Sequence, residues 1–369
     1  MSIYNNLKKT NTPVENKIFY HFVNGAFVEI KGGEQANYVV RFIDQNKQEL
    51  VYECPLSNNT WARPNIEYFV NWRVQILKGD NMIFNHVYSP EGKNVFISFD
   101  SSSLGDTIAY MPYTLEFKNK HNCNVIVCTH FNHLFEKAYP ELTFVEPGEV
   151  VNDLYAMYTI GYFYNANKEP ILPNTIPLQK QACNILGLQY KELKPRIYHK
   201  AKKDLVKTKL VTIATASTSG CKVWPWEYWQ EVINHLHSQG YTVVNISKEK
   251  DEFENCSNHP YNETFSSTID TLKRSEFFIG LASGLSWLAW AVETPVVMIG
   301  NFSEEGHEFQ ANVRITNTDV CHGCWNSHLY KFDKGDWNWC PVKKNTEEQF
   351  ICQRSITPEM VINEIKKIL

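Results

Sequence analysis

The sequence predicts an α/β protein with two Rossmann-like halves, an N-terminal antiparallel β-barrel and a C-terminal four-Cys metal finger. Three observations carry this. Strand, glycine turn, helix, strand occurs twice, on either side of the Lys-rich linker 200–209. Short β-rich runs divided by turn residues fill the chain before residue 93. Four of the ten cysteines fall between Cys321 and Cys352. The expected domains are residues 1–92, 93–205, 206–318 and 319–369.

The totals bound the function. A chain of 369 residues with 43% hydrophobic content can form two or three domains. The formal net charge of -4 suggests no polyanion-binding surface, so no nucleic-acid partner is expected. Met1 to Lys9 contains no apolar core of a signal peptide, and no run approaches a membrane span. A cytoplasmic protein without a membrane partner is the expectation. The cysteines outside the finger (54, 123, 128, 183, 221, 256) are spaced without pattern, as reduced thiols are.

The elements follow in order. Residues 1–16 are polar and read as a loose or docking arm. Phe19–Val23 and Ala26–Ile30 flank Asn24-Gly25, a strong type I′ hairpin signal. Tyr38–Ile43 and Glu49–Cys54 continue a barrel or sandwich of about six strands. Val95–Phe99 is a buried-strand run, and a helix over Thr107–Lys120, a strand over Asn124–Cys128 and a helix near His133–Tyr139 follow. The second half repeats the grammar. Leu210–Ala214, Tyr241–Ile246, Glu276–Gly280 and Pro295–Ile299 read as strands, and Trp226–Gln239 and Ser283–Val292 as helices. Thr357-Pro358 opens a closing helix to Leu369. Two such halves place a ligand in the cleft between them.

The finger reads Cys321-His322-Gly323-Cys324, then Cys340, then Cys352. This is the spacing of a structural site in which four thiolates close a tetrahedron around one ion. Scattered reduced thiols and two disulfides are the other readings; clustering opposes the first, and the absent signal peptide the second. By chemistry zinc is the default ion, with iron the other tetrahedral S4 choice.

Three further stretches carry chemistry. Ser103-Leu104-Gly105-Asp106 lies where a strand hands over to a helix, and Asp106 either caps that helix or points into the cleft. On spacing alone the cap is the commoner role. Ser283-Gly284-Leu285-Ser286 opens a second-half helix, where free N–H groups make an anion site. Lys222, after Ser217-Thr218-Ser219-Gly220, can supply a cation; an ordinary capped helix and a surface lysine are the plain alternatives. No Gly-x-Gly-x-x-Gly or Gly-x4-Gly-Lys-Ser/Thr is present, which argues against dehydrogenases and P-loop NTPases. Nor is there an Asp-x-Asp pair to hold a divalent ion on a nucleotide sugar.

Together these stretches resemble a known family. Ser103-Leu104-Gly105-Asp106-Thr107-Ile108-Ala109-Tyr110-Met111-Pro112 is similar to the N-terminal signature of ADP-heptose-dependent heptosyltransferases. So are Lys222-Val223-Trp224-Pro225 with Trp229, and Ser283-Gly284-Leu285-Ser286 before Pro295-Val296-Val297. With the extra N-terminal β-domain and the finger, the chain resembles the bacterial autotransporter heptosyltransferases from about Phe19 to Leu369. That resemblance implies a GT-B fold and an inverting glycosyltransferase that moves heptose from ADP-heptose to serines of an autotransporter passenger in the cytoplasm. It implies Asp106 as catalytic base, with Ser217, Ser219, Lys222, Trp224, Ser283, Gly284, Leu285 and Ser286 on the donor side. It further implies the β-domain and first half as acceptor side, Fe3+ (or zinc) on Cys321, Cys324, Cys340 and Cys352, and a homo-oligomer, a ring-shaped dodecamer. Lipopolysaccharide heptosyltransferases usually carry Asp-Thr-Gly-Leu-x-His where this chain has Ala282-Ser283-Gly284-Leu285-Ser286-Trp287, so that Asp and His have no counterpart. The rival readings are transfer of heptose or hexose to lipopolysaccharide or another glycan, and a non-catalytic metal-binding scaffold.

Overall fold

The fold is taken from a computed structural model that describes residues 15–200, 206–262, 264–333 and 335–368. Most of the expected N-terminal arm, the middle of the linker, and Leu369 at the end of the closing helix lie outside the described residues.

The chain opens with strands β1 (Lys17–Val23) and β2 (Phe27–Lys31), joined through Asn24 and Gly25 at φ 53° and 97°, the left-handed pair that a type I′ turn requires. Strands β3 (Asn37–Asp44), β4 (Glu49–Ser57), β5 (Thr60–Ala62), β6 (Trp72–Lys78) and β7 (Asn81–Val87) follow. The expected closed barrel does not form. β3, β4, β6 and β7 make one antiparallel sheet in the order β4-β3-β6-β7. β1, β2 and β5 instead extend the first Rossmann-like sheet. Its strands β8 (Asn94–Phe99), β9 (Asn124–Cys128), β10 (Thr143–Phe144) and β11 (Leu154–Ile160) are parallel, and the full order is β10-β9-β8-β11-β1-β2-β5. The cause is local burial. Only the end of β1 is apolar and covered, and there Phe22 and Val23 pair in parallel with Ala156 and Met157. Phe22 packs edge-on against Tyr88 and beside Tyr155, so the strand closes the first-half core.

Helices α1 (Leu104–His121), α2 (Asn132–Phe135) and α3 (Leu178–Leu186) complete the first half. In the second half β12 (Leu210–Ala214), β13 (Thr242–Asn245), β14 (Cys256–Asn258), β15 (Phe277–Leu281), β16 (Val296–Ile299) and β17 (Val313–Ile315) form a parallel sheet ordered β14-β13-β12-β15-β16-β17. Every residue of β12, β15 and β16 is buried, which explains their largely apolar runs: a parallel sheet is covered on both faces. Helices α4 (Trp226–Ser238), α5 (Ser266–Arg274) and α6 (Gly284–Ala291) cover it. α7 (Ile351–Arg354) and α8 (Pro358–Lys366) close the chain. α8 begins as its sequence indicates, with Pro358 at the first turn and the Thr357 hydroxyl accepting the Met360 N–H. No helix among the described residues is long and apolar enough to cross a membrane.

One hydrophobic core crosses from the N-terminal sheets through the first half to Leu285, Trp287, Leu288 and Phe309 of the second. The halves therefore share packing at α1 and α6, and this fixes the cleft.

Candidate functional site

The cleft is built where α1 and α6 meet end to end. A Cβ on Gly105 would lie 3.1 Å from the Trp287 ring and 3.4 Å from the Gly284 Cα, and one on Gly284 would lie 3.2 Å from the Gly105 nitrogen. Two glycines thus let the two helix starts approach to backbone contact, which larger residues would prevent. Asp106 and the Ser283–Gly284 turn come from opposite halves and adjoin this contact.

Asp106 does not cap α1. It sits half-buried in the first turn, where its Oδ2 accepts the Ser101 hydroxyl at 2.5 Å, and Ser103 at the cap position makes no side-chain cap bond. Its negative charge acts on the phenols of Tyr110 and Tyr162. Those phenols feel a second carboxyl, Glu169, which sequence reasoning missed because nothing in its context marks it. Glu169 is 2% exposed, and burial pushes its carboxyl up to about 8. The Phe163 N–H approaches its Oε2 at 3.5 Å, while Oε1 has no hydrogen-bond partner among the described residues.

This carboxyl links stability to pH. Between its ordinary value of 4.5 and about 8 the folded protein holds a proton that the unfolded chain has released. Stability is therefore expected to fall as pH rises through that window, by up to about 1.4 kcal/mol per unit. Urea unfolding of the wild type and Glu169→Gln at pH 5.5 and 8 checks this: the variant should lose the slope, and equal slopes would contradict it.

On the second half, Lys222 reaches the anion turn. Its ammonium donates to the Ala282 carbonyl at 3.2 Å and lies 4.6 Å over the Phe302 ring. Ser283 and Gly284 are half-buried and face the cleft, whereas Leu285 belongs to the core. Ser286 is structural: its buried hydroxyl donates to the Leu281 carbonyl. Ser217 is half-buried on the loop after β12, and the Ser219 hydroxyl lies 2.9 Å from the Cys221 sulfur. Trp224 is not a stacking platform. It is 1% exposed, its indole N–H donates to the Ile356 carbonyl at 2.8 Å, and it packs edge-on against Trp229, so no face remains for a base.

The finger lies against this site. It carries one turn of 3-10 helix, Cys324–Asn326, and its aromatics Trp325, Phe332 and Trp339 pack around Phe302 and Cys221 of the second half. Trp325 stands between the two sides of the cleft, 5.1 Å from the Tyr162 ring, with the Lys222 ammonium 5.8 Å over its own ring. Its indole N–H donates to His307 Nε2 at 2.7 Å, leaving the His307 Nδ1–H to donate to the Ile176 carbonyl at 3.0 Å. Burial lowers the pKa of this imidazole, so it stays neutral and acts as a strut. Beside Trp325 opens a cavity of about 550 Å³, lined by Tyr162, Tyr164, Lys168, Lys331 and Phe332 among others.

All ten cysteines are free thiols, which removes the disulfide reading. The finger thiols gather: burial first, then Cys321, Cys324 and Cys340, push Cys352 up to about 12, and Cys324 rises to about 11 through burial, Cys321 and Cys340. Among the described residues, however, no three His, Cys, Asp or Glu side chains are arranged to hold an ion. The tetrahedron expected from the spacing is a looser gathering of the four thiols here. Neutral thiols have no electrostatic reason to converge further; a cation supplies one by displacing their protons. Four sulfurs without a carboxylate fit zinc or iron.

Comparison with known proteins gives consistent relatives. Residues 164–334 match the model of glycosyltransferase family 9 (heptosyltransferase). The autotransporter heptosyltransferase Aah of Escherichia coli is 34% identical over 371 residues, covering 96% of this chain and 94% of its own. The iron-containing dodecameric glycosyltransferase TibC from enterotoxigenic E. coli H10407 superposes with a TM-score of 0.90 at 30% identity, over 98% of this chain and 99% of that one. TibC has also been solved in complex with ADP-D-beta-D-heptose. A more distant relative from Burkholderia thailandensis, 27% identical over 95% of this chain and 85% of its own, is described as an inactive autotransporter heptosyltransferase.

Proposed function

We propose, because the chain belongs to the autotransporter heptosyltransferases, that it is a glycosyltransferase moving heptose from ADP-heptose to serine hydroxyls of an autotransporter passenger. The observation that carries the reading is the contact of Gly105 with Gly284, which brings a carboxylate and an anion turn from opposite halves to one cleft.

Asp106 is the base. It takes the proton of the acceptor serine as that oxygen bonds to the anomeric carbon, and the bond from that carbon to the diphosphate breaks on the opposite face, inverting the configuration. Such assistance is worth roughly 10²–10⁴-fold. Lys222 and the N–H groups opening α6 take up the charge growing on the leaving ADP. Acceptor binding falls to residues 1–92 and 93–205, donor binding to 206–318. β4 and β7 are edge strands of their sheet and expose Leu50, Val51, Tyr52, Met82 and Ile83, suited to a passenger strand added edge-on. Cys321, Cys324, Cys340 and Cys352 of the 319–369 segment hold one iron as a structural ion. A homo-oligomer, dodecameric like TibC, working in the cytoplasm completes the reading.

Co-expression with an autotransporter passenger and ADP-heptose tests it by intact mass. Addition of heptose units to serine only with this protein present is expected; an unmodified passenger would place the chain with the inactive relative. A second test addresses the donor side. Lys222→Ala should lose a charge-assisted contact of ~1.5–3 kcal/mol, weakening ADP binding by about 10–150-fold. Unchanged affinity by calorimetry would make Lys222 a packing residue.

A further inference from the structure

The turn that carries Lys222 is held in part from outside its own half. Gly220–Lys222 is a single turn of 3-10 helix, closed by Lys222 N–H to Ser219 O and Val223 N–H to Gly220 O. Such a turn is too short to fix its own geometry. Two further backbone groups of the turn are taken by the finger segment. The Gly220 N–H donates to the Trp337 carbonyl at 3.1 Å, and a Cβ at Gly220 would come within 2.7 Å of that oxygen. The Gln353 side-chain amide, 1% exposed, donates its Nε2–H to the Cys221 carbonyl at 3.0 Å. Cys221 is itself buried among Trp339, Phe302 and Cys324.

We propose that the cysteine finger is part of the donor site, with Gln353 as the positioning residue that fixes the Lys222 turn for the donor diphosphate. The inference rests on the reading of Lys222 given above. Gln353 follows Cys352 directly, so whatever orders that cysteine also places the amide. The Trp337 carbonyl, accepting the Gly220 N–H, ties the stretch between Cys324 and Cys340 to the same turn. Metal occupancy and ADP binding are then coupled, and coupling between two binding sites is reciprocal.

A second observation separates this role from ordinary packing. Gln353 Oε1 is buried without a partner among the described residues, so this amide carries a desolvation cost that leucine would not. Gln353→Leu removes that cost while freeing the Cys221 carbonyl, and the melting temperature should change little.

Calorimetry with ADP on the full-length protein gives the test. For Gln353→Leu an approximately 10-fold weaker ADP affinity is expected, with metal content, melting temperature and acceptor KM as in wild type. Unaltered ADP affinity overturns the proposal. So does a loss that comes only with loss of metal or of melting temperature, because the amide is then merely structural. A measurement on the wild type needs no variant: release of the metal to a chromophoric chelator should slow several-fold in saturating ADP, and equal rates overturn the coupling. Lys222→Ala keeps the two levels apart. If it too leaves ADP binding intact, the donor-site reading has failed; if it alone weakens ADP, only the inference about Gln353 has.

Discussion

Replacing Asp106 with alanine is expected to abolish heptose transfer while leaving ADP affinity within about two-fold of wild type. The asymmetry follows from where the carboxylate stands. It lies on the first-half side of the Gly105–Gly284 contact, whereas the cation and the N–H groups suited to diphosphate lie on the other. An interaction made only as the proton leaves the acceptor lowers the barrier without adding ground-state affinity. A loss of about 10²–10⁴-fold is the scale for a positioned base. The fold should tolerate the change, because among the described residues the Asp106 carboxylate bonds to Ser101 and caps no backbone group. What it loses is the favourable charge at the helix start, worth ~0.3–1 kcal/mol. A matched melting curve together with transfer above about a tenth of the wild-type rate would remove Asp106 from the base role. Asp106→Asn, which keeps the shape and the Ser101 contact, should be equally inactive.

Much of this was legible in the residues, for reasons that differ by element. Leu210–Ala214 was readable to the residue because a strand buried on both faces leaves a mostly apolar, β-branched run, broken only by Thr212, between polar ends. The Asn24-Gly25 turn and the Thr357-Pro358 helix start were readable because their chemistry is local. Strand pairing was not. Alternation tells that a residue is in a strand but not which strand lies beside it, so the parallel partnership of β1 with β11 was hidden and a closed barrel was expected in its place. The helix expected over His133–Tyr139 stops at Phe135. Trp224 lies between motif residues, yet its indole is spent on Ile356, a partner far along the chain that no spacing rule could supply. The same distance hid Cys221, filed with the pattern-free thiols although the fold sets it against the finger. Trp325 alone carried a signal, its place directly after Cys324.

The finger itself yields the other large effect. Cys340→Ser is expected to lose most of its metal and to loosen residues 319–350 while both halves stay folded. Serine is a poor ligand for a soft S4 site, and three thiolates leave an incomplete shell. Apart from hydrogen bonds such as Trp325 to His307 and Gly220 to Trp337, the segment has a small apolar base. Its buried cluster contains only Cys221, Phe302 and Trp339, with partly covered aromatics around them. The two halves rest on two much larger cores, one of them shared between the halves, to which the 319–350 stretch contributes no buried residue. Unfolding should therefore be local, as expected where few apolar contacts are made. If the finger also forms a contact between subunits, the assembly should come apart before the halves melt. Elemental analysis and light scattering on freshly purified wild type and Cys340→Ser decide the matter. One ion per chain in the wild type, a sharp drop in the variant and a smaller scattering mass are the expected results. A wild type free of metal, or a variant that keeps its full complement, would exclude Cys340 from any metal shell and leave the four thiols as a hydrophobic brace.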